Sequence, residues 1–168
     1  RVKNGEKKMR YLEGKTATIL FYENSTRTRT SFEQAAKYLG ATTIHIEASS
    51  SSVAKGETLV DTGKTLDAQR NDFIVIRHPM GGAPYLLSKT VKASVLNAGD
   101  GVNEHPSQAL LDMLTMQEVF GSLKGLKVAI LGDIKHSRVA KSNLFGLKTM
   151  GAEVRMFAPE TLIPREID

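Results

Sequence analysis

Two hydrophobic periods alternate along this chain, and that alternation limits its folds more than any other feature. Short apolar runs such as Ile74-Val75-Ile76 and Val128-Ala129-Ile130-Leu131 have the length of a buried strand, far short of the roughly 18 residues a membrane-spanning helix needs. Between them lie helical stripes. Residues 16–22 (Thr-Ala-Thr-Ile-Leu-Phe-Tyr) read as a strand buried on both faces. Phe32, Ala35, Ala36 and Leu39 then fall at i, i+3, i+4 and i+7, with Thr30 and Glu33 at capping-box spacing and Gly40 as a C′ residue. A strand over 42–47, a helical stripe through Leu59, Thr62, Gly63 and Leu66, and a strand over 72–77 complete a βαβαβ unit.

Further on, residues 84–88 read as a short helix, 94–97 as a fourth strand, and 106–120 as a long helix with Pro106 in its first turn, where a missing N–H costs nothing. Gly121-Ser122-Leu123-Lys124-Gly125 breaks the pattern before β, α and β resume over 126–132, 137–150 and 153–158. The expected fold is therefore α/β, a parallel sheet with helices on both faces in a Rossmann-like three-layer arrangement, with a second, similar domain only begun. The expected boundary gives a domain over 1–121 that includes the connecting helix 106–120, and the start of another over 122–168. The chain opens without Met and stops just after an expected strand, so both ends are expected to be cut from a longer polypeptide.

Composition removes several function classes. The chain holds no cysteine, which excludes disulfides, thiolate metal sites and a cysteine nucleophile and allows a cytoplasmic home. The net charge of +5 is scattered among acids, with Lys7, Lys8 and Arg10 the only basic cluster, so small anionic ligands fit better than nucleic acid. Neither a G-x-G-x-x-G fingerprint nor a P-loop occurs, and no cofactor or metal-ligand group is indicated.

The chemistry gathers where strands end. Ser25, Thr26, Arg27, Thr28, Arg29 and Thr30 follow the first strand. A helix start offers unpaired N–H groups and a positive dipole end, hydroxyls let a phosphate approach, and arginine adds bidentate donors. The same residues also suit an ordinary Ser/Thr cap with solvated arginines. Ser49-Ser50-Ser51-Ser52 with Lys55 reads as a flexible polar loop or as a mobile grip on an anion. Arg77-His78-Pro79 ends the third strand. His105 and Gln108 open the long helix, where a His near the positive dipole end tends to stay neutral and to donate to a carbonyl, or serves as a structural hydrogen-bonding residue. Arg138 starts the helix after Gly132 and suits a carboxylate. Ligands bind such sheets at this edge, and Arg27, Lys55, Arg77 and Arg138 together want a polyanion. Glu23, Asp100 and Asp133 are placed to orient arginines as much as to move protons, so catalysis here would be positioning and electrostatics.

These residues resemble the aspartate branch of the aspartate and ornithine carbamoyltransferase family. Ser25-Thr26-Arg27-Thr28-Arg29 is similar to the signature shared by both branches. Lys55-Gly56-Glu57-Thr58-Leu59, Arg77-His78-Pro79, Asn97-Ala98-Gly99-Asp100-Gly101 and His105-Pro106-Ser107-Gln108 resemble the aspartate branch, and the cysteines typical of the ornithine branch are absent. The resemblance runs from about Glu13 to the end and implies a transferase that moves the carbamoyl group of carbamoyl phosphate to L-aspartate, an early step of pyrimidine biosynthesis. It implies that Ser25, Thr26, Arg27 and Thr28 bind the phosphate and that Thr28, Arg77 and His105 polarise the carbonyl. Gln108 would hold the carbamoyl amide and Arg138 an aspartate carboxylate, while Glu23 would pair with such an arginine between domains. Lys55, which also reaches aspartate, and Ser51, with Ser52 as the adjacent alternative, would come from a neighbouring subunit of a homotrimer. A regulatory or multienzyme partner is left open. The rival readings are a carbamoyltransferase for another amine such as ornithine and a non-catalytic anion-binding module.

Overall fold

The computed structural model describes residue 5, residues 9–47 and residues 56–164. It divides into two compact units, Arg1–Ala98 and Gly99–Asp168. In the first, β1 (Thr16–Phe21), α1 (Thr26–Tyr38), β2 (Thr42–Glu47), α2 (Leu59–Ala68), β3 (Phe73–His78) and α3 (Ala83–Ser88) follow in order, and β4 (Ser94–Asp100) crosses into the second unit. The sheet order is β2-β1-β3-β4. β1 runs parallel to both neighbours, with Phe21 level with Glu47 on one side and with Arg77 on the other.

Strand alternation sorts β1 onto two helical layers. Ile19 and Phe21 pack with Val75, Ala98 and Phe32 of α1. Leu20 faces the other way, into Ile74, Ile76, Leu66 of α2 and Leu87 of α3. Each fully buried isoleucine or leucine among them contributes about 1.5–3 kcal/mol relative to exposure. Gly63 lets α2 approach α3, since a Cβ there would sit 2.3 Å from Leu87 Cδ1.

The N-terminal ends of β1 and β3 are tied by polar side chains. Asp72 accepts from Lys15 Nζ at 2.8 Å and from the Thr16 amide at 2.9 Å. Buried Thr18 donates its hydroxyl to Asn71 Oδ1, and Asn71 Nδ2 donates to Leu66 O. The Lys15 hydrogen bond, and then the Thr16 amide, hold the Asp72 carboxyl below its ordinary value of 3.8. A depressed carboxylate adds stability above its unfolded-state pKa and loses it as pH falls through the lower folded value. Thermal midpoints measured between pH 2 and 7 should therefore show Asp72→Asn below the parent at neutral pH, with the gap closing below about pH 4.

Two local expectations need correction. Helix α1 begins at Thr26 with Ser25 as N-cap, so Thr30 and Glu33 are not its capping box. Thr30 lies inside the helix and donates its hydroxyl back to Thr26 O, as mid-helix threonines do, while Glu33 pairs with Lys37 and His45. The helix does end where expected: Gly40 has φ 91°, and Gly40 and Ala41 donate to Lys37 O and Ala36 O in a Schellman motif. β4 is longer than residues 94–97, because Ala98, Gly99 and Asp100 continue it into the interior; Ala98 is 0% and Asp100 2% exposed.

The second unit holds α4 (Pro106–Phe120), β5 (Lys127–Leu131), α5 (Arg138–Thr149), β6 (Glu153–Phe157) and a short 3₁₀ turn, Glu160–Leu162. β5 and β6 form a parallel pair. Leu123, Leu147 and Ala152 form its core, with Met113 and Met116 of α4 packed against them. This unit includes α4, which packs along α5. Among the described residues no helix is long and apolar enough to cross a membrane.

Candidate active site

Strand order reverses direction between β1 and β3. In an open parallel sheet the crevice beyond the strand C-termini at that point is where ligands bind. Here it carries the end of β1, the start of α1 and Arg77. The Tyr22 amide donates to Arg77 O at 2.9 Å, so the chain leaving β1 is anchored beside that arginine. Glu23 Oε2 accepts from Arg77 Nε at 3.0 Å, and Arg77 Nη1 reaches Ala98 O at 3.4 Å. The Arg77 side chain is only 13% exposed. Its guanidinium plane is therefore braced on two sides before any ligand arrives.

Ser25 has extended backbone and makes no side-chain cap bond. Thr26, Arg27 and Thr28 form the first turn, whose amides have no intrahelical acceptor, and no acidic residue lies in that turn to compete for them. A cleft of about 500 Å³ opens beside it, lined by Tyr22, Glu23, Asn24, Ser25, Thr26 and Arg29 among others. The two arginines of this turn differ. Arg29 Nη1 is paired with Glu47 at the end of β2. Arg27 is exposed and has no ion pair among the described residues, which leaves its charge uncompensated on the first turn of α1.

His78 plays a different part from the cations around it. Its ring lies 4.5 Å from that of Tyr22, and its Nδ1 accepts from the Met80 amide. Burial holds its pKa below the ordinary 6.5, so near neutral pH it is an uncharged ring carrying its proton on Nε2.

In the second unit His105 occupies the N-cap position of α4 and is 6% exposed. Its amide donates to Ser142 Oγ of α5 at 2.9 Å, and its Nδ1 lies 3.3 Å from Ser107 Oγ. Asp100 accepts from the Glu104 amide and from Asn103 Nδ2, closing the turn that leads to His105. Gln108 Nε2 donates to Asp112 Oδ1. Arg138, the first residue of α5 after the Ser137 cap, donates through Nη1 to Gly101 O at 2.9 Å. A Cβ on Gly99 would lie 3.2 Å from the Arg138 Cζ, and Gly99 has φ 123°. Glycine is thus favoured there by backbone conformation, and a side chain would also press on the guanidinium beside it. Asp133 accepts from the His136 amide, and that bond together with the His136 ring lowers its carboxyl pKa.

The first unit thus gathers Ser25, Thr26, Arg27, Thr28 and Arg77 at one sheet edge, and the second holds His105, Gln108 and Arg138 around the start of α4 and α5. Ser51, Ser52 and Lys55 lie outside the described residues. Among the described residues no cluster of His, Asp and Glu is arranged to hold a metal ion. Sequence reasoning gave no role to Asp112 or Asn143, although the i, i+4 spacing of Gln108 and Asp112 marks them as neighbours on α4.

The family model for the carbamoyl-phosphate-binding domain of aspartate/ornithine carbamoyltransferases matches residues 1–118. The chain belongs to this carbamoyltransferase family. It is 65% identical over 167 residues to the aspartate carbamoyltransferase catalytic subunit of Ruminiclostridium cellulolyticum, covering 99% of the chain and 53% of that protein. With the corresponding subunit of Acetivibrio thermocellus it shares 64% identity, over 96% of the chain and 52% of the relative. Among solved structures it resembles aspartate transcarbamoylase from Trypanosoma cruzi in complex with carbamoyl phosphate and aspartate, at 38% identity and TM-score 0.87, covering 96% of the chain and 53% of that structure. The catalytic subunit of M. jannaschii aspartate transcarbamoylase superposes with TM-score 0.85 at 41% identity, over 98% and 55%. The chain spans about half the length of the curated relatives it matches. Its carbamoyltransferase fold is the α/β parallel sheet expected from the hydrophobic pattern.

Proposed function

We propose that this chain carries the carbamoyl phosphate half of a cytoplasmic aspartate carbamoyltransferase, which moves the carbamoyl group to L-aspartate and releases phosphate. The observation that carries the reading is the β1/β3 switch point, where the open first turn of α1, with exposed Arg27, follows β1, and Arg77, braced by Glu23, lies at the end of β3. The relatives' names and the T. cruzi complex support the same substrates.

In this reading Ser25, Thr26, Arg27 and Thr28 hold the phosphate. Arg77, Thr28 and His105 donate to the carbonyl oxygen as negative charge grows on it, and Gln108 accepts from the carbamoyl NH₂. The aspartate amine attacks the carbonyl carbon. A carbon–nitrogen bond forms, the carbon–oxygen bond to phosphate breaks, and the proton shed by the amine leaves with the phosphate. Arg138, seated on Gly99 and Gly101, takes a substrate carboxylate. Lys55 and Ser51 act from a neighbouring copy in a homotrimer. The domain reading that goes with this function keeps residues 1–121 as the carbamoyl phosphate domain and 122–168 as the start of the aspartate domain; the family match over 1–118 supports it.

The test is phosphate release from carbamoyl phosphate with L-aspartate or L-ornithine as acceptor, run on the full chain in its native assembly. Release with aspartate alone is expected. Release with ornithine alone, or saturable phosphate-site binding with no turnover by either amine, replaces this reading by one of the rivals.

A further inference from the structure

Gln108, Asp112 and Asn143 form a hydrogen-bonded line across α4 and α5. Gln108 Nε2 donates to Asp112 Oδ1 at 2.8 Å, and Asn143 Nδ2 donates to Asp112 Oδ2 at 2.7 Å. An ionised carboxylate only accepts, so each amide must turn its NH₂ toward it. The direction of the Gln108 side chain is thereby set by charge, and its Oε1 is left as an acceptor with no donor among the described residues. Asn143 adds an independent observation. Its Oδ1 is buried with no hydrogen-bond partner among the described residues, an arrangement that costs stability. A leucine would fill the same place without that cost, so what Asn143 contributes is the Nδ2 bond to Asp112.

We propose that Asp112, held by Asn143, is a positioning residue that locks Gln108 as a hydrogen-bond acceptor and so selects a carbamoyl donor, whose NH₂ donates, over an acyl phosphate bearing a methyl group. The inference rests on the reading of Gln108 as the group facing the carbamoyl amide. Asp112→Asn keeps the shape and the number of hydrogen-bonding atoms but removes the direction. The new amide can present NH₂ to Gln108, which then turns its own NH₂ toward the ligand and meets the carbamoyl NH₂ donor to donor.

The probes are carbamoyl phosphate and acetyl phosphate, which share the phosphate and carbonyl and differ in NH₂ against CH₃. Dissociation constants for both are measured calorimetrically on the parent protein, Asp112→Asn and Asn143→Ala in the native assembly, with folding followed by circular dichroism. The parent should prefer carbamoyl phosphate, and Asp112→Asn should cut that preference about tenfold or more by weakening carbamoyl phosphate alone. Asn143→Ala should move the ratio the same way by less, and it decides the matter by itself if Asp112→Asn does not fold. Equal losses for both ligands, or an unchanged ratio, overturn the lock while leaving the phosphate site standing. A folded parent that binds neither ligand overturns the functional reading and the lock with it.

Discussion

Replacing Arg27 by alanine should remove saturable carbamoyl phosphate binding while leaving the fold intact. Arg27 is exposed and makes no ion pair among the described residues, so its loss orphans no partner and opens no cavity. Its charge sits on the first turn of α1, where the amides of Thr26, Arg27 and Thr28 and the helix dipole already favour an anion. Loss of one such preorganised donor typically costs about 10²–10³ in rate. Arg29→Ala is the internal control. That arginine is committed to Glu47, and its removal should weaken binding far less. A calorimetric titration with carbamoyl phosphate, compared across the parent and both variants, checks the ranking; equal effects from Arg27 and Arg29 would sink the assignment of the phosphate to Arg27.

Arg77→Ala should be nearly inactive for a reason of a different kind. Arg77 is mostly buried and paired with Glu23, whose side chain is 27% exposed. Alanine removes the donor proposed for the carbonyl oxygen, at about 10²–10³ in kcat, and also breaks the ion pair with a partly buried carboxylate, which lowers stability. The two effects separate in a double variant. Adding Glu23→Gln to Arg77→Ala should restore much of the thermal midpoint without restoring turnover. Arg77→Lys should rescue little, since a single ammonium cannot span Glu23 and the Ala98 carbonyl as the guanidinium fork does. Near-normal kcat in either Arg77 variant would remove this residue from the reaction.

Much of the architecture was legible from hydrophobic period. β1 and β3 read as strands because their apolar runs are buried on both faces, and α1 as a helix because Phe32, Ala35, Ala36 and Leu39 share a stripe; Phe32 and Ala36 do pack on the sheet. Element ends were less legible. Ser25 and Thr30 are both plausible caps by residue type, and only the backbone path out of β1 decides for Ser25. Gly99 and Asp100 read as loop because glycine and aspartate are poor strand formers. Burial of Asp100 against its own turn, and contact of Arg138 with Gly99, override that preference.

The site followed a similar division. Residue types at strand ends were enough to nominate Ser25, Thr26, Arg27, Thr28, Arg77, His105, Gln108 and Arg138 as candidates, because a parallel α/β sheet puts every strand C-terminus on one edge and anions need donors there. Sequence alone could not say which of two neighbouring arginines is committed to a carboxylate, because Glu47 lies 18 residues from Arg29. Nor could it show that Glu23 braces Arg77 from 54 residues away, or that Asn143 holds Asp112 across 31. Pattern and propensity are local properties, set by each residue's own backbone and its neighbours within a turn or two. They determined the class of fold and the chemical character of the edge, while the motifs at that edge carried the resemblance to the family. Pairing is a property of chain crossings, and only the packed sheet and helices decided which charge meets which.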